Sequence, residues 1–306
     1  MSKSSASMRN TVGHVTSLRK LAEPSRRPMA RRRFLGIAAA SAGTALVGLS
    51  RRTAAAADDF GGFIMGMQTY SLRDFPVDKA LELSKQLGVS TIEFASGHLG
   101  TKAPQAEIDA VKNKVQSLGL RTLSHGVSPF TSDHEANRKI FEFAKRLGAR
   151  NLSADPTEDS FDSLDRLVAE FDIRIAIHNH GPGARYDKVA DVLKAIKGRH
   201  PSIGACADLG HYIRAGEDPV RAITLLAGRL YGVHLKDFAE PKKDAQGVIL
   251  GRGQLDLEAT FRALRKADFP ADACLALEYE EKPKDPIDDI RACLAAASEG
   301  AKRAHG

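Results

Sequence analysis

Four short segments in the second half of this chain each close an apolar run with a side chain able to ligate a metal. The run 173–178 ends on His178, and His180 follows two residues later. The run 203–208 ends on Asp208, with His211 three positions on. In 230–235 the donor is His234, followed by Lys236, and 273–278 ends on Glu278 with Glu280 beyond it. One nitrogen or oxygen donor from each of four neighbouring strands satisfies a divalent cation, and two imidazoles with two carboxylates suit Mn, Zn, Co or Fe better than Mg or Ca. At a strand period of two, His178 and His180 point to the same side, so either can face the site. A lone strand-end histidine is usually an ordinary rim residue. Four consecutive strand ends that each offer a donor argue for a shared ion.

These residues need strands whose carboxyl ends meet. Apolar runs at 62–69, 90–94, 121–125, 149–153, 173–178, 203–208, 230–235 and 273–278 read as buried parallel strands. Helical patterns fill the gaps between them, and several end in glycine, as at Gly88, Gly119 and Gly148. Eight β–α pairs without a long interruption give an α/β fold, a single (β/α)8 barrel, with its chemistry on the carboxyl rim. The weakest strand is 149–153, which is short and polar. The segment 238–255 is the longest connection on that rim and carries Gly247, Gly251 and Gly253, so a mobile substrate lid is expected there. Gln68, Glu93 and His125 end earlier strands and, with Lys236, are expected to contact substrate.

The segments Gln68-Thr69-Tyr70-Ser71, Ile92-Glu93-Phe94, His178-Asn179-His180, Asp208-Leu209-Gly210-His211, Val233-His234-Leu235-Lys236-Asp237 and Leu277-Glu278-Tyr279-Glu280 together resemble the sugar phosphate isomerase/epimerase family with a xylose isomerase-like TIM barrel. The resemblance spans about residues 62–300. It implies one divalent metal held by His178, Asp208, His234 and Glu278, with His211 behind them or on the substrate. There is one departure. Ketose 3-epimerases of the family place a glutamate where this chain has His178, and the pattern here is more similar to inosose dehydratase-like members. Similar exported barrels are associated with elimination from 3-keto-glycosides.

The expected chemistry is proton abstraction next to a carbonyl, through a metal-stabilised enediolate. Glu278 is the first candidate base, and His180 or His211 returns the proton or protonates a leaving hydroxyl. Return of the proton makes a sugar isomerase or epimerase, which leads. Loss of a β-substituent makes a dehydratase or lyase on a keto-sugar or 3-keto-glycoside. A non-catalytic sugar-binding barrel is a further alternative.

The first 57 residues stand apart. Arg31-Arg32-Arg33-Phe34-Leu35 matches a twin-arginine pattern, a run of small apolar residues follows, and Ala55-Ala56-Ala57 resembles a cleavage site before Asp58. Export to the periplasm or beyond is expected, with the barrel over 58–306. The leader holds 11 of the 45 Lys and Arg but one of the 38 acids, so the remainder has 34 basic against 37 acidic residues, about −3. The overall charge of +7 thus belongs to the leader. That balance argues against a nucleic-acid partner, including a related phosphodiesterase activity, and for a small sugar or keto-sugar. The apolar run is too short for a good membrane span. Cys206, Cys274 and Cys293 lack disulfide-framework spacing, and a homo-oligomer stays open.

Overall fold

The computed structural model describes residues 59–305; the arginine motif and the expected export segment lie outside them. Eight parallel strands close a barrel: β1 (Met65–Gln68), β2 (Thr91–Ala95), β3 (Arg121–Phe130), β4 (Asn151–Pro156), β5 (Arg174–His178), β6 (Ile203–Asp208), β7 (Leu230–Leu235) and β10 (Cys274–Leu277). A two-residue pair, β8 (Asp237–Phe238) and β9 (Gly247–Val248), forms a small antiparallel hairpin on the rim. The last barrel strand pairs with both β7 and β1, which closes the ring.

The outer layer holds α1 (Val77–Gln86), α2 (Gln105–Ser117), α3 (His134–Leu147), α4 (Phe161–Phe171), α5 (Val189–Ile196), α6 (Leu209–Arg214), α7 (Pro219–Leu225), α8 (Leu257–Lys266) and α9 (Ile287–Arg303). Each helix longer than a turn or two buries one stripe: α3, for example, buries Phe141, Ala144 and Leu147 and leaves its charged residues outward. Its start is fixed by Asp133, whose carboxylate accepts the Ala136 N–H, and its end by Gly148 at φ 86°, a conformation that glycine adopts without a Cβ clash. No helix among the described residues is long and apolar enough to cross a membrane.

The polarity of β4 has a physical cause. Asn151 and Ser153 are fully buried, and both reach across the barrel. Asn151 Nδ2 donates to the carbonyls of Leu123 and Asp272, at 3.2 and 3.0 Å, and Ser153 Oγ donates to Glu93. The strand is therefore polar because it satisfies buried polar groups, not because it is exposed.

The segment 238–255 departs from the expected mobile lid. The Asp237 carboxylate accepts five backbone N–H groups: Phe238, Gln254 and Leu255 on Oδ1 at 2.8, 2.8 and 3.0 Å, and Gly251 and Gly253 on Oδ2 at 2.9 Å each. A Cβ at Gly253 would meet Asp237 Oδ1 at 2.5 Å, so the glycine that suggested looseness permits close approach. With Leu250 and Leu255 buried beneath it, the segment is a fastened strap.

Candidate active site

Each of the four donor side chains is positioned by strand geometry. His178 and Asp208 are the last residues of β5 and β6, His234 is the fifth residue of β7, and Glu278 follows β10 directly. The Glu278 N–H donates to Leu235 O at 3.1 Å, which carries the β7 pairing one residue further. Asp208 also caps α6: its Oδ1 accepts the His211 N–H at 2.8 Å, which leaves Oδ2 for the site. The three-residue spacing from Asp208 to His211 is thus a helix cap as well as a chemical pair. Asn179, which the sequence reading missed, pins this corner. Its Oδ1 accepts the Asp208 N–H at 2.8 Å and its Nδ2 donates to Asp208 O at 2.9 Å. Its place between two histidines at a strand end was the available signal.

The four donors come together. One ligand atom from each of His178, Asp208, His234 and Glu278 lies within 4.8 Å of the others, and all four residues are buried. His234 Nδ1 is 3.0 Å from His178 Nε2, 3.0 Å from Glu278 Oε2 and 3.8 Å from Asp208 Oδ2, while His178 Nε2 is 3.6 Å from Asp208 Oδ2. Donors that share a cation at about 2.0–2.2 Å stand roughly 3.0–3.6 Å apart. The four spacings just given fall in or close to that range, and the widest pair, at up to 4.8 Å, must draw in slightly to share one ion. Asp208 Oδ2 and Glu278 Oε2 are buried and turned to the same point, where the Lys236 ammonium meets both at 2.9 Å.

Two supports complete the cluster. Glu93 Oε2 accepts a hydrogen bond from His234 Nε2 at 2.8 Å, so the Nδ1 lone pair is the one turned to the other donors. Lys236 Nζ lies 2.9 Å from Asp208 Oδ2, 2.9 Å from Glu278 Oε2 and 2.6 Å from Glu280 Oε1. Asp208, Glu278 and Glu280 thus share one ammonium, leaving two negative charges that a divalent cation would balance.

Burial works against charge on Glu278, yet the Lys236 ammonium and His234 outweigh it and hold its carboxyl well below the usual carboxylate range. Asp208 behaves alike: burial pushes its pKa up, and His211 and Lys236 pull it further down. His180 is lowered to about 4 and His211 to about 3, chiefly by burial, so both imidazoles are neutral at neutral pH. Their rings stack at 5.8 Å between centroids.

These groups border an open cavity of about 510 Å³ on the carboxyl rim. His178, His180, His211, Glu278 and Gln68 all line it, as does Glu280. Lys236 stands behind, holding the carboxylates. The substrate-contact expectation for Glu93, His125 and Lys236 is corrected, Lys236 because it is buried and committed to three carboxylates. Glu93 is fully buried below the cavity floor, committed to His234 and Ser153, because a carboxylate inside the barrel requires partners at once. His125 faces the helical layer, where Nε2 bonds Leu99 O at 2.8 Å and the ring meets Phe143 edge-on. A register shift in β3 between His125 and Ser128 accompanies that outward placement.

Fold and site together define a barrel whose side chains converge at the carboxyl ends of its strands. The chain belongs to the xylose isomerase-like TIM barrel family, whose sequence profile matches residues 81–297. It is 25% identical over 202 residues to the 3-oxo-isoapionate decarboxylase of Pectobacterium atrosepticum, covering 60% of this chain and 71% of that one. It is also 25% identical over 226 residues to an inosose dehydratase of Clostridium botulinum, covering 67% and 73%. Among solved structures, a protein of Parabacteroides distasonis superposes with TM-score 0.60 at 28% identity, over 76% of this chain and 96% of that one. Family members are enzymes, and those with assigned names include dehydratases, a decarboxylase and epimerases.

Proposed function

We propose that this protein is a metal-dependent enzyme that removes a proton beside the carbonyl of a small keto-sugar or keto-glycoside. The observation that carries the reading is the convergence of His178, Asp208, His234 and Glu278 at the floor of an open cavity. These four residues would hold one divalent cation, with Mn, Zn, Co or Fe matching two imidazoles and two carboxylates. When bound, such an ion acts as a Lewis acid toward the carbonyl oxygen and makes the neighbouring C–H more acidic. His180, neutral and lining the cavity beside Glu278, is the group placed to take that proton, while Glu278, whose basicity Lys236 and His234 reduce, acts through the cation. Lys236 holds Glu278 and Asp208 in register. His180 and His211, neutral and facing the same space, relay the proton onward.

Return of the proton to carbon gives isomerisation or epimerisation. Departure of a β-hydroxyl gives dehydration. The second outcome is favoured by two observations: His178 leaves the site without a second glutamate on β5, and the inosose dehydratase relative is a lyase by name. Incubation of the metal-loaded protein with ketoses, inososes and 3-keto-glycosides in D2O, followed by NMR, tests both. Deuterium incorporation without loss of water supports the isomerase or epimerase, and loss of water supports the dehydratase. Neither exchange nor product with any candidate leaves a sugar-binding barrel. Residues 1–57 are proposed to direct export, and replacing Arg31 and Arg32 with Lys is expected to retain the precursor in the cytoplasm.

A further inference from the structure

We propose that the substrate of this cavity carries a carboxylate remote from its carbonyl, and that Arg73 receives it. The inference rests on the cavity being a substrate site, as proposed above. Opposite the donor cluster, the cavity wall is built from the ends of β1 and β2, and it offers donors rather than carboxylates. Gln68, Tyr70, Arg73, Ser96 and His98 line it. Gln68 Oε1 accepts the Tyr70 N–H at 3.2 Å, and among the described residues its amide NH2 has no partner.

Arg73 is the charged member of this wall. Its Nη1 donates to Tyr70 O at 3.1 Å and its Nη2 to Glu280 O at 2.5 Å, and the guanidinium lies over the Tyr70 ring, 4.7 Å from the centroid. Two main-chain acceptors and an aromatic face thus fix the plane of the fork without neutralising it. Among the described residues no carboxylate lies within ion-pair distance of Arg73, as is also true of Arg214 and Arg229; what sets Arg73 apart is that it lines the cavity itself. A guanidinium has five N–H groups, so three are uncommitted here. An oriented, uncompensated fork facing a cavity matches the two oxygens of a carboxylate.

A phosphate monoester fits less well. It brings about two charges; of the other cations beside the cavity, Lys236 already serves Asp208, Glu278 and Glu280, and Arg214 stands on the donor-cluster side next to His211, away from Arg73, with Nε and Nη2 bound to Lys243 O. The cavity therefore takes a substrate with unlike ends, a hydroxy-ketone toward the donor cluster and an acid toward Arg73.

The test compares three 3-keto-hexosides that differ only at C6, as carboxylate, hydroxymethyl or phosphate, on the metal-loaded protein. Wild type is expected to prefer the carboxylate by at least about tenfold in kcat/KM. Arg73→Ala and Arg73→Gln are expected to raise KM for that probe about 10- to 100-fold with kcat within a few-fold, to raise KM for the hydroxymethyl probe at least about tenfold less than for the carboxylate, and to be partly rescued by Arg73→Lys. Preference for the neutral or the phosphorylated probe overturns the proposal. So does an equal loss on the carboxylate and neutral probes, which marks Arg73 as a tie between the β1 and β10 ends. If none of the three reacts, the proposed reaction fails separately, and calorimetry with the same probes decides for Arg73. Carboxylate binding abolished by Arg73→Ala supports the assignment, and affinity indifferent to C6 or to the substitution overturns it.

Discussion

The two walls of the cavity are built on different principles. On the β5, β6, β7 and β10 side, the functional side chains sit on strand ends, are nearly fully buried, and hold one another through Lys236 and Glu93. On the β1 and β2 side Gln68 ends its strand and is buried, but Tyr70, Arg73, Ser96 and His98 stand on the turns beyond the strands, with Tyr70 43% exposed. The first wall is fixed by mutual charge and suits a step that tolerates little displacement. The second is held by one or two hydrogen bonds per side chain to the main chain and suits recognition, where a new side chain disturbs few neighbours.

If that division holds, Asp208→Asn and His234→Ala give the largest effects. Bound metal, measured by elemental analysis, should fall to a small fraction, with activity down on the order of 10³-fold or more. Circular dichroism should show the barrel intact, since carboxyl-rim positions serve function more than stability. Full metal occupancy in both variants would break the assignment of the first wall. Asp237→Asn comes next, and acts on stability. The amide removes the negative charge, keeps one acceptor oxygen and turns an NH2 donor toward at least two of the five backbone N–H groups, so the unfolding free energy in denaturant titrations should drop by about 2–3 kcal/mol. Unchanged stability would mean that the strap is held by Leu250 and Leu255 instead.

Glu93→Gln sharpens the comparison from beneath. Glu93 touches His234 but not the cavity, so metal affinity should weaken about 10- to 100-fold while KM at saturating metal stays put. A raised KM at saturating metal would place Glu93 on the substrate after all. Tyr70→Phe is the smallest. Loss of one exposed hydroxyl on the second wall should change KM by no more than about fivefold and leave metal content untouched.

Much of the first wall was legible because barrel strands end where their chemistry begins. An apolar run closing on a histidine or an acid states both the strand and its rim. The (β/α)8 order and nearly every helix were likewise readable from alternating apolar runs and terminal glycines such as Gly148. What resisted was side-chain partnership across the barrel. Glu93, His125 and Gln68 present the same local signature, a polar residue at a strand end, yet one supports His234, one faces the helices and one lines the cavity. A bulge in β3 and a contact 141 residues away in sequence decide among them, and neither has a local mark. Asp237 was opaque for a similar reason, since its five partners lie up to 18 residues downstream and are all main chain.

The order in which the donors leave the ribosome has its own consequence. All four come from residues 178–278, and the last of them sits on the stave that seals the ring against the first. A nascent chain therefore has no complete binding place until its last barrel strand has emerged. Because a ligand that binds only the finished form pulls the equilibrium toward it, cation capture would act as a latch thrown at the end of assembly.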